Sequence, residues 1–176
     1  MITYAGLVRG INVGKARRLP MADLRALVKA EGFTDPRTLL NSGNVVFAGA
    51  KQPFPRLAAR LESAIETRAG FRPHVVVVDA AWVDAVMQEN SLTQADNPSR
   101  LLVAFVQDTD RLQSVRELAS RDWGSEALAV GSRAAYIWLP DGILESRVLS
   151  EVVARVGPWI TTRNWTTVQK LQALMR

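Results

Sequence analysis

Three features of the sequence predict an α+β fold: β-branched strand-like runs separated by helix-period segments, turn residues joining two pairs of strands, and one element order met twice along 176 residues. Ile2–Val8 is a short apolar run that suits a buried strand. Pro20 opens a helix with Met21, Leu24, Leu27 and Val28 on one face, and Gly32 ends it. Arg37–Leu40 and Val45–Phe47 are strand-like, and Asn41-Ser42-Gly43-Asn44 between them tolerates positive φ, which predicts a hairpin. A single long bulged strand is the alternative. Phe54, Leu57, Ala58, Leu61 and Ile65 then repeat at helical spacing up to Gly70, and His74–Val78 reads as a strand.

The second pass follows a helix over Ala80–Met87 and a polar loop over Glu89–Arg100. Leu101–Val106 is a strand, and Leu112, Val115 and Leu118 mark a helix capped by Asp110. Ala127–Val130 and Ala134–Leu139 form a second hairpin around Gly131-Ser132. Leu149, Val152, Val153 and Val156 mark a helix ended by Gly157-Pro158, and Trp159–Thr161 supplies a short last strand. Each half reads βαββαβ, so the predicted architecture is two tandem ferredoxin-like halves with antiparallel sheets. The expected division is residues 1–79, then 80–176 with a C-terminal helix, with fusion into one compact unit as the alternative.

An apolar content of 48% and a charged content of 22% are those of an ordinary globular chain. There is no cysteine, which removes disulfides, thiolate nucleophiles and thiolate metal sites together. The N-terminus lacks signal-peptide features and no run approaches the roughly 18 apolar residues of a membrane span. The expectation is a soluble cytoplasmic protein with no membrane partner. The net charge of +5 is uneven: residues 1–78 hold 12 Lys and Arg against 5 Asp and Glu, and residues 79–176 hold 10 against 12. The basic first half favours an anionic partner, either a small molecule or nucleic acid.

The segment that concentrates this charge is Leu7-Val8-Arg9-Gly10-Ile11-Asn12-Val13-Gly14-Lys15, followed by Arg17, Arg18, Leu19 and Pro20. It is not a Walker A loop, since three residues rather than four separate the glycines and Ala16 follows the lysine. Nor is it a G-x-G-x-x-G dinucleotide loop. What remains is a glycine-bearing cationic loop in which Arg9, Gly10, Asn12, Gly14, Lys15, Arg17 and Arg18 hold phosphate or carboxylate by charge-assisted hydrogen bonds. In the predicted topology this loop and the 41–44 turn share one end of the sheet, adding Ser42 and Asn44 and bringing Arg72 near. Turn geometry and solvated cations are the competing explanation.

Thr161–Leu171 reads as a capped terminal helix, with Trp165, Val168, Leu171 and Met175 packing inward and Arg163, Thr167 and Lys170 on another face. A threonine-capped helix start beside Arg163 and Asn164 is a second anion-favouring feature, and Arg163, Asn164 and Lys170 join the candidate site if that helix folds back. His74, the single histidine, reads as a strand residue with one side exposed. Asp79, Asp84, Asp108 and Asp110 read as caps and turn residues rather than metal ligands. No nucleophile or general base is nominated, and no cofactor or metal is called for.

Several motifs taken in order, Leu7–Gly14, Pro20–Arg25, Gly32-Phe33, Thr38, Ser42–Phe47 and Thr162–Leu171, resemble the bacterial family called domain of unknown function 1697. The resemblance spans the chain and is strongest over residues 5–48 and 161–171. It implies an α+β fold and no defined activity. Family members usually carry Gly-Gly-Lys where this chain has Gly14-Lys15, and an Asn-Pro-Phe-like segment where it has Glu89-Asn90-Ser91-Leu92. The expectation is therefore an uncharacterised protein whose basic loop edge binds a phosphate-containing ligand, nucleotide or nucleic acid. An enzyme acting on a small anionic metabolite and a module for an acidic protein partner are the alternatives.

Overall fold

A computed structural model describes residues 1–176. The chain divides into two compact units, Met1–Ala81 with Lys170–Arg176, and Trp82–Gln169. In the first unit the order is β1 (Ile2–Val8), α1 (Met21–Ala30), β2 (Thr34–Leu39), β3 (Asn44–Gly49), α2 (Phe54–Ala69) and β4 (Val75–Asp79). The strands lie in the order β2-β3-β1-β4, each antiparallel to its neighbour. This is the split βαβ arrangement, in which each helix returns the chain to a strand two places away.

Alternation along the strands builds the core. Tyr4, Val8, Val45, Phe47, Val75 and Val77 meet Leu24 and Val28 of α1 and Leu57, Leu61 and Ile65 of α2. Each of these large side chains contributes about 1.5–3 kcal/mol by leaving water. Leu7, Val46, Val76 and Val78 on the opposite face are buried too, which explains why β1 and β4 read as unbroken apolar runs. The hairpin forms as expected, and β2 also begins earlier, at Thr34. Its register breaks between Thr34 and Arg37, where Asp35 is left-handed and Pro36 has no N–H to donate.

The chain continues through α3 (Ala80–Glu89), β5 (Leu101–Val106), α4 (Gln113–Arg116), β6 (Ala127–Val130), β7 (Ala134–Trp138), α5 (Arg147–Val156), β8 (Ile160–Asn164) and α6 (Trp165–Met175), of which the residues from Trp82 to Gln169 make the second unit. The sheet order of the second unit, β6-β7-β5-β8, is again antiparallel and repeats the first. The two halves therefore form the tandem βαββαβ arrangement.

Four local readings need correction. The helix at 109–120 is a single α-turn, α4, flanked by 3-10 turns at Thr109–Leu112 and Glu117–Ser120. Leu112, Val115 and Leu118 recur every third residue, which keeps one face inward in a 3-10 winding but drifts around an α-helix. Its cap is Asp108, whose carboxylate accepts the Asp110 N–H at 3.1 Å, rather than Asp110 itself. At the other end, residues 161–164 belong to β8, which extends past Thr161 to Asn164, so the terminal helix starts later than expected. Its cap is an asparagine rather than a threonine: Asn164 Oδ1 accepts from the Thr167 N–H at 2.9 Å and the Thr167 hydroxyl at 2.7 Å.

Candidate functional site

The loop between β1 and α1 is held by its own residues. Ile11 and Leu19 are buried on either side of it. Between them the Asn12 carboxamide closes the loop, with Nδ2 donating to the Leu19 carbonyl at 2.8 Å and Oδ1 accepting the Leu19 N–H at 2.9 Å. The same Nδ2 donates to the Asn41 carbonyl at 2.8 Å, tying the loop to the β2–β3 turn. The Val8 N–H reaches the Gly43 carbonyl at 2.8 Å and the Arg9 N–H reaches the His74 carbonyl at 2.9 Å. A Cβ on Gly43 would sit 2.8 Å from Ile11 Cδ1 and 2.9 Å from Val8 Cβ, so the turn and loop approach as closely as they do because residue 43 lacks a side chain. Gly10, Asn12, Gly14 and Arg17 all hold positive φ, which fixes the loop in a folded-back path.

Eight of the twelve cations in residues 1–78 form no ion pair with a carboxylate, and four of those eight, Arg9, Lys15, Arg17 and Arg18, are crowded into this loop while Arg25, Lys29, Lys51 and Arg56 are dispersed along the chain. All five carboxylates in residues 1–78 are engaged: Asp23 with Arg68, Glu31 with Arg60, Asp35 with Arg37, and both Glu62 and Glu66 with Arg72, at 3.1–3.3 Å. Arg9, Lys15, Arg17 and Arg18 take no part in these pairs, and the last three are exposed. Arg17 instead lies 5.4 Å above the Phe71 ring, with its guanidinium crossing Gly10. Arg72, expected near this edge, is neutralised by α2. His74 lies at the entry to β4, mostly buried rather than half exposed, with Nδ1 3.3 Å from Glu62 Oε1.

The structure thus brings together Arg9–Arg18 and the 41–44 turn, as the topology requires. Two of the expected contacts are committed within it. Asn12 closes the loop, and Asn44 is buried with Nδ2 donating to the Leu39 carbonyl and the Ser42 hydroxyl, each at 2.9 Å. Ser42 remains on the surface. The sequence reading missed three residues that shape this edge: Phe71 beneath Arg17, and the exposed aliphatic side chains of Val13 and Leu40. An apolar residue directly flanking a turn sequence was the available signal for Val13 and Leu40. Phe71 carried none.

Arg163 and Asn164 sit in the second unit. Arg163 is buried on β8 and donates to the Thr161 hydroxyl at 2.9 Å and the Thr162 carbonyl at 2.8 Å; burial pulls its pKa down to about 10, which leaves it charged at neutral pH. Asn164 is occupied as the α6 cap. Lys170 is exposed on α6. No group of three His, Asp or Glu side chains converges as a metal site, and no helix is long and apolar enough to cross a membrane.

With this geometry the chain compares directly with known proteins. The family model described as protein of unknown function, DUF1697, matches residues 1–136. The chain belongs to that family. A similar solved structure is the conserved bacterial protein SP0830 from Streptococcus pneumoniae, at 22% identity and a TM-score of 0.77 over 99% of each chain. At that identity the likeness shows a shared fold. No curated protein matches the sequence. For this DUF1697 protein the family match gives membership, the solved structure gives a shared fold, and neither gives an activity.

Proposed function

We propose that this DUF1697 protein binds a phosphate-bearing ligand, a nucleotide or nucleic acid among them, at the basic edge of its first unit. The carrying observation is the clustering of unneutralised charge: every carboxylate in residues 1–78 pairs with an arginine outside the loop, and of the eight cations left without one, four, Arg9, Lys15, Arg17 and Arg18, fall within ten residues. Leaving like charges unneutralised within ten residues costs stability through mutual repulsion, and an anion removes that cost. Guanidinium and ammonium groups suit phosphate because they donate several charge-assisted hydrogen bonds at once.

In this reading Arg9, Lys15, Arg17 and Arg18 engage the anion and Ser42 borders it. Gly10 and Gly14 give the backbone its path, and Asn12 and Asn44 hold the loop and the turn. Arg163 and Asn164 are engaged within β8 and at the α6 cap and are left out of this reading, while Lys170, exposed and grouped with the first unit, remains a candidate contact. A thermal-shift panel of nucleotides, sugar phosphates, tripolyphosphate and short RNA and DNA, with plain phosphate as control, tests the reading, because a ligand that binds only the folded state raises its melting point. A selective shift supports it. Equal response to all anions, at the level of plain phosphate, contradicts it.

A further inference from the structure

The basic edge also carries apolar side chains that the fold does not use. In the first unit the exposed large hydrophobic residues are Met1 at the chain terminus, Val13 at 77% and Leu40 at 53%. Both internal ones lie on this edge. Val13 is in the cationic loop between two left-handed residues, Asn12 and Gly14, and Leu40 is in the adjoining turn, which Asn12 ties to the loop through the Asn41 carbonyl.

Leu40 is the more telling of the two. Its φ is 58°, a left-handed conformation that glycine or asparagine adopts with ease and that is strained for leucine. Packing does not explain a leucine whose side chain is half exposed, and backbone preference argues against it. Two aliphatic tips flanked by four unpaired cations make a surface that is amphipathic across a few residues.

We infer that the phosphates recognised at this edge are those of an anionic lipid surface, with Val13 and Leu40 entering the boundary between headgroups and acyl chains while Arg9, Lys15, Arg17 and Arg18 engage the headgroup phosphates. The inference rests on the phosphate reading and narrows it. Aliphatic tips favour lipid over nucleic acid, since single strands are held by stacking on aromatic faces and neither valine nor leucine has one. Phe71, the aromatic ring at this edge, lies under Arg17. Such docking lies on a bilayer and needs no spanning helix. It departs from the expectation of no membrane partner, which rested on spans and targeting signals alone.

The test is co-sedimentation of the full chain with phosphatidylcholine vesicles with and without phosphatidylglycerol, at low and moderate salt. The expected result is partition to the anionic vesicles alone, weakened by salt. Val13→Ser/Leu40→Asn lowers that partition at least about fivefold and leaves tripolyphosphate binding by thermal shift unchanged. Asparagine accepts the left-handed backbone at residue 40, so this variant folds. Leu144→Ser, which removes an exposed leucine of the second unit, leaves partition unchanged. Equal partition to neutral and anionic vesicles, or undiminished partition of the Val13→Ser/Leu40→Asn variant, overturns the inference. Binding of tripolyphosphate or a short oligonucleotide without vesicle binding overturns it while the phosphate reading stands. Binding of none of these, and of no nucleotide or sugar phosphate beyond plain phosphate, overturns both.

Discussion

Asn12→Ala removes the clasp that shapes the cationic loop. The carboxamide makes two half-buried bonds with the Leu19 backbone and one exposed bond to the Asn41 carbonyl. Each bond to Leu19 contributes about 1 kcal/mol net, and the exposed one less. Residue 12 is also left-handed at φ 57°, which costs alanine about 1 kcal/mol more than asparagine. The sum is about 3 kcal/mol for Asn12→Ala. Asn12→Gly loses the same bonds but keeps the backbone accessible, so it costs about 2 kcal/mol. With a urea m-value of about 1–2 kcal/mol per molar, the alanine midpoint falls by about 1.5–3 M. Urea unfolding followed by far-UV circular dichroism reads both variants. Midpoints within about 0.3 M of wild type, or glycine below alanine, would refute the reasoning.

Two further predictions concern stability. Gly43→Ala places a methyl 2.9 Å from Val8 Cβ at a φ of 81°, and is expected to cost about 2–4 kcal/mol in the same unfolding assay. Glu89 is pushed upward by burial, its largest single influence, yet the bonds from the Ser132 N–H, the Ser132 hydroxyl and Arg133 outweigh this and hold its carboxyl below the usual range. Because the folded value is the lower one, Glu89 stabilises fully above the unfolded carboxylate range and loses that contribution as pH falls through the folded value. Glu89→Gln is therefore expected to destabilise the protein at neutral pH, with the gap to wild type closing below about pH 4; a gap that stays constant down to acid pH contradicts the assignment.

Much of the architecture was legible because the core elements carry clean periods. Leu57, Leu61 and Ile65 repeat at helical spacing and Val75–Val78 is β-branched, so α2 and β4 follow from local pattern alone, and the antiparallel order follows from the βαββαβ sequence of elements. The failures lie where local pattern is ambiguous. A spacing of three in Leu112, Val115 and Leu118 fits both helix types over a few residues. Thr161–Asn164 reads as a helix start because threonine and asparagine are capping residues, whereas its pairing with β5 is a long-range fact. The cationic loop was visible as charge, but its neutralisation pattern was not, since Asp23 finds Arg68 and Glu31 finds Arg60 only after α1 and α2 have packed on one sheet. Asn12 carried the same difficulty, because an amide that closes a loop and one that binds a ligand look alike until Leu19 and Asn41 are in place.

The central claim is that the unpaired cations of residues 9–18 form the ligand contact. Its most direct test is the thermal shift produced by tripolyphosphate and by a short oligonucleotide on wild type and on Arg17→Ala/Arg18→Ala, two exposed positions whose loss, the Arg17–Phe71 contact included, changes stability by about 1 kcal/mol at most. The account predicts a shift in the wild type beyond that of plain phosphate and at least about tenfold weaker binding in the variant. A shift of equal size and equal concentration dependence in both proteins would contradict it.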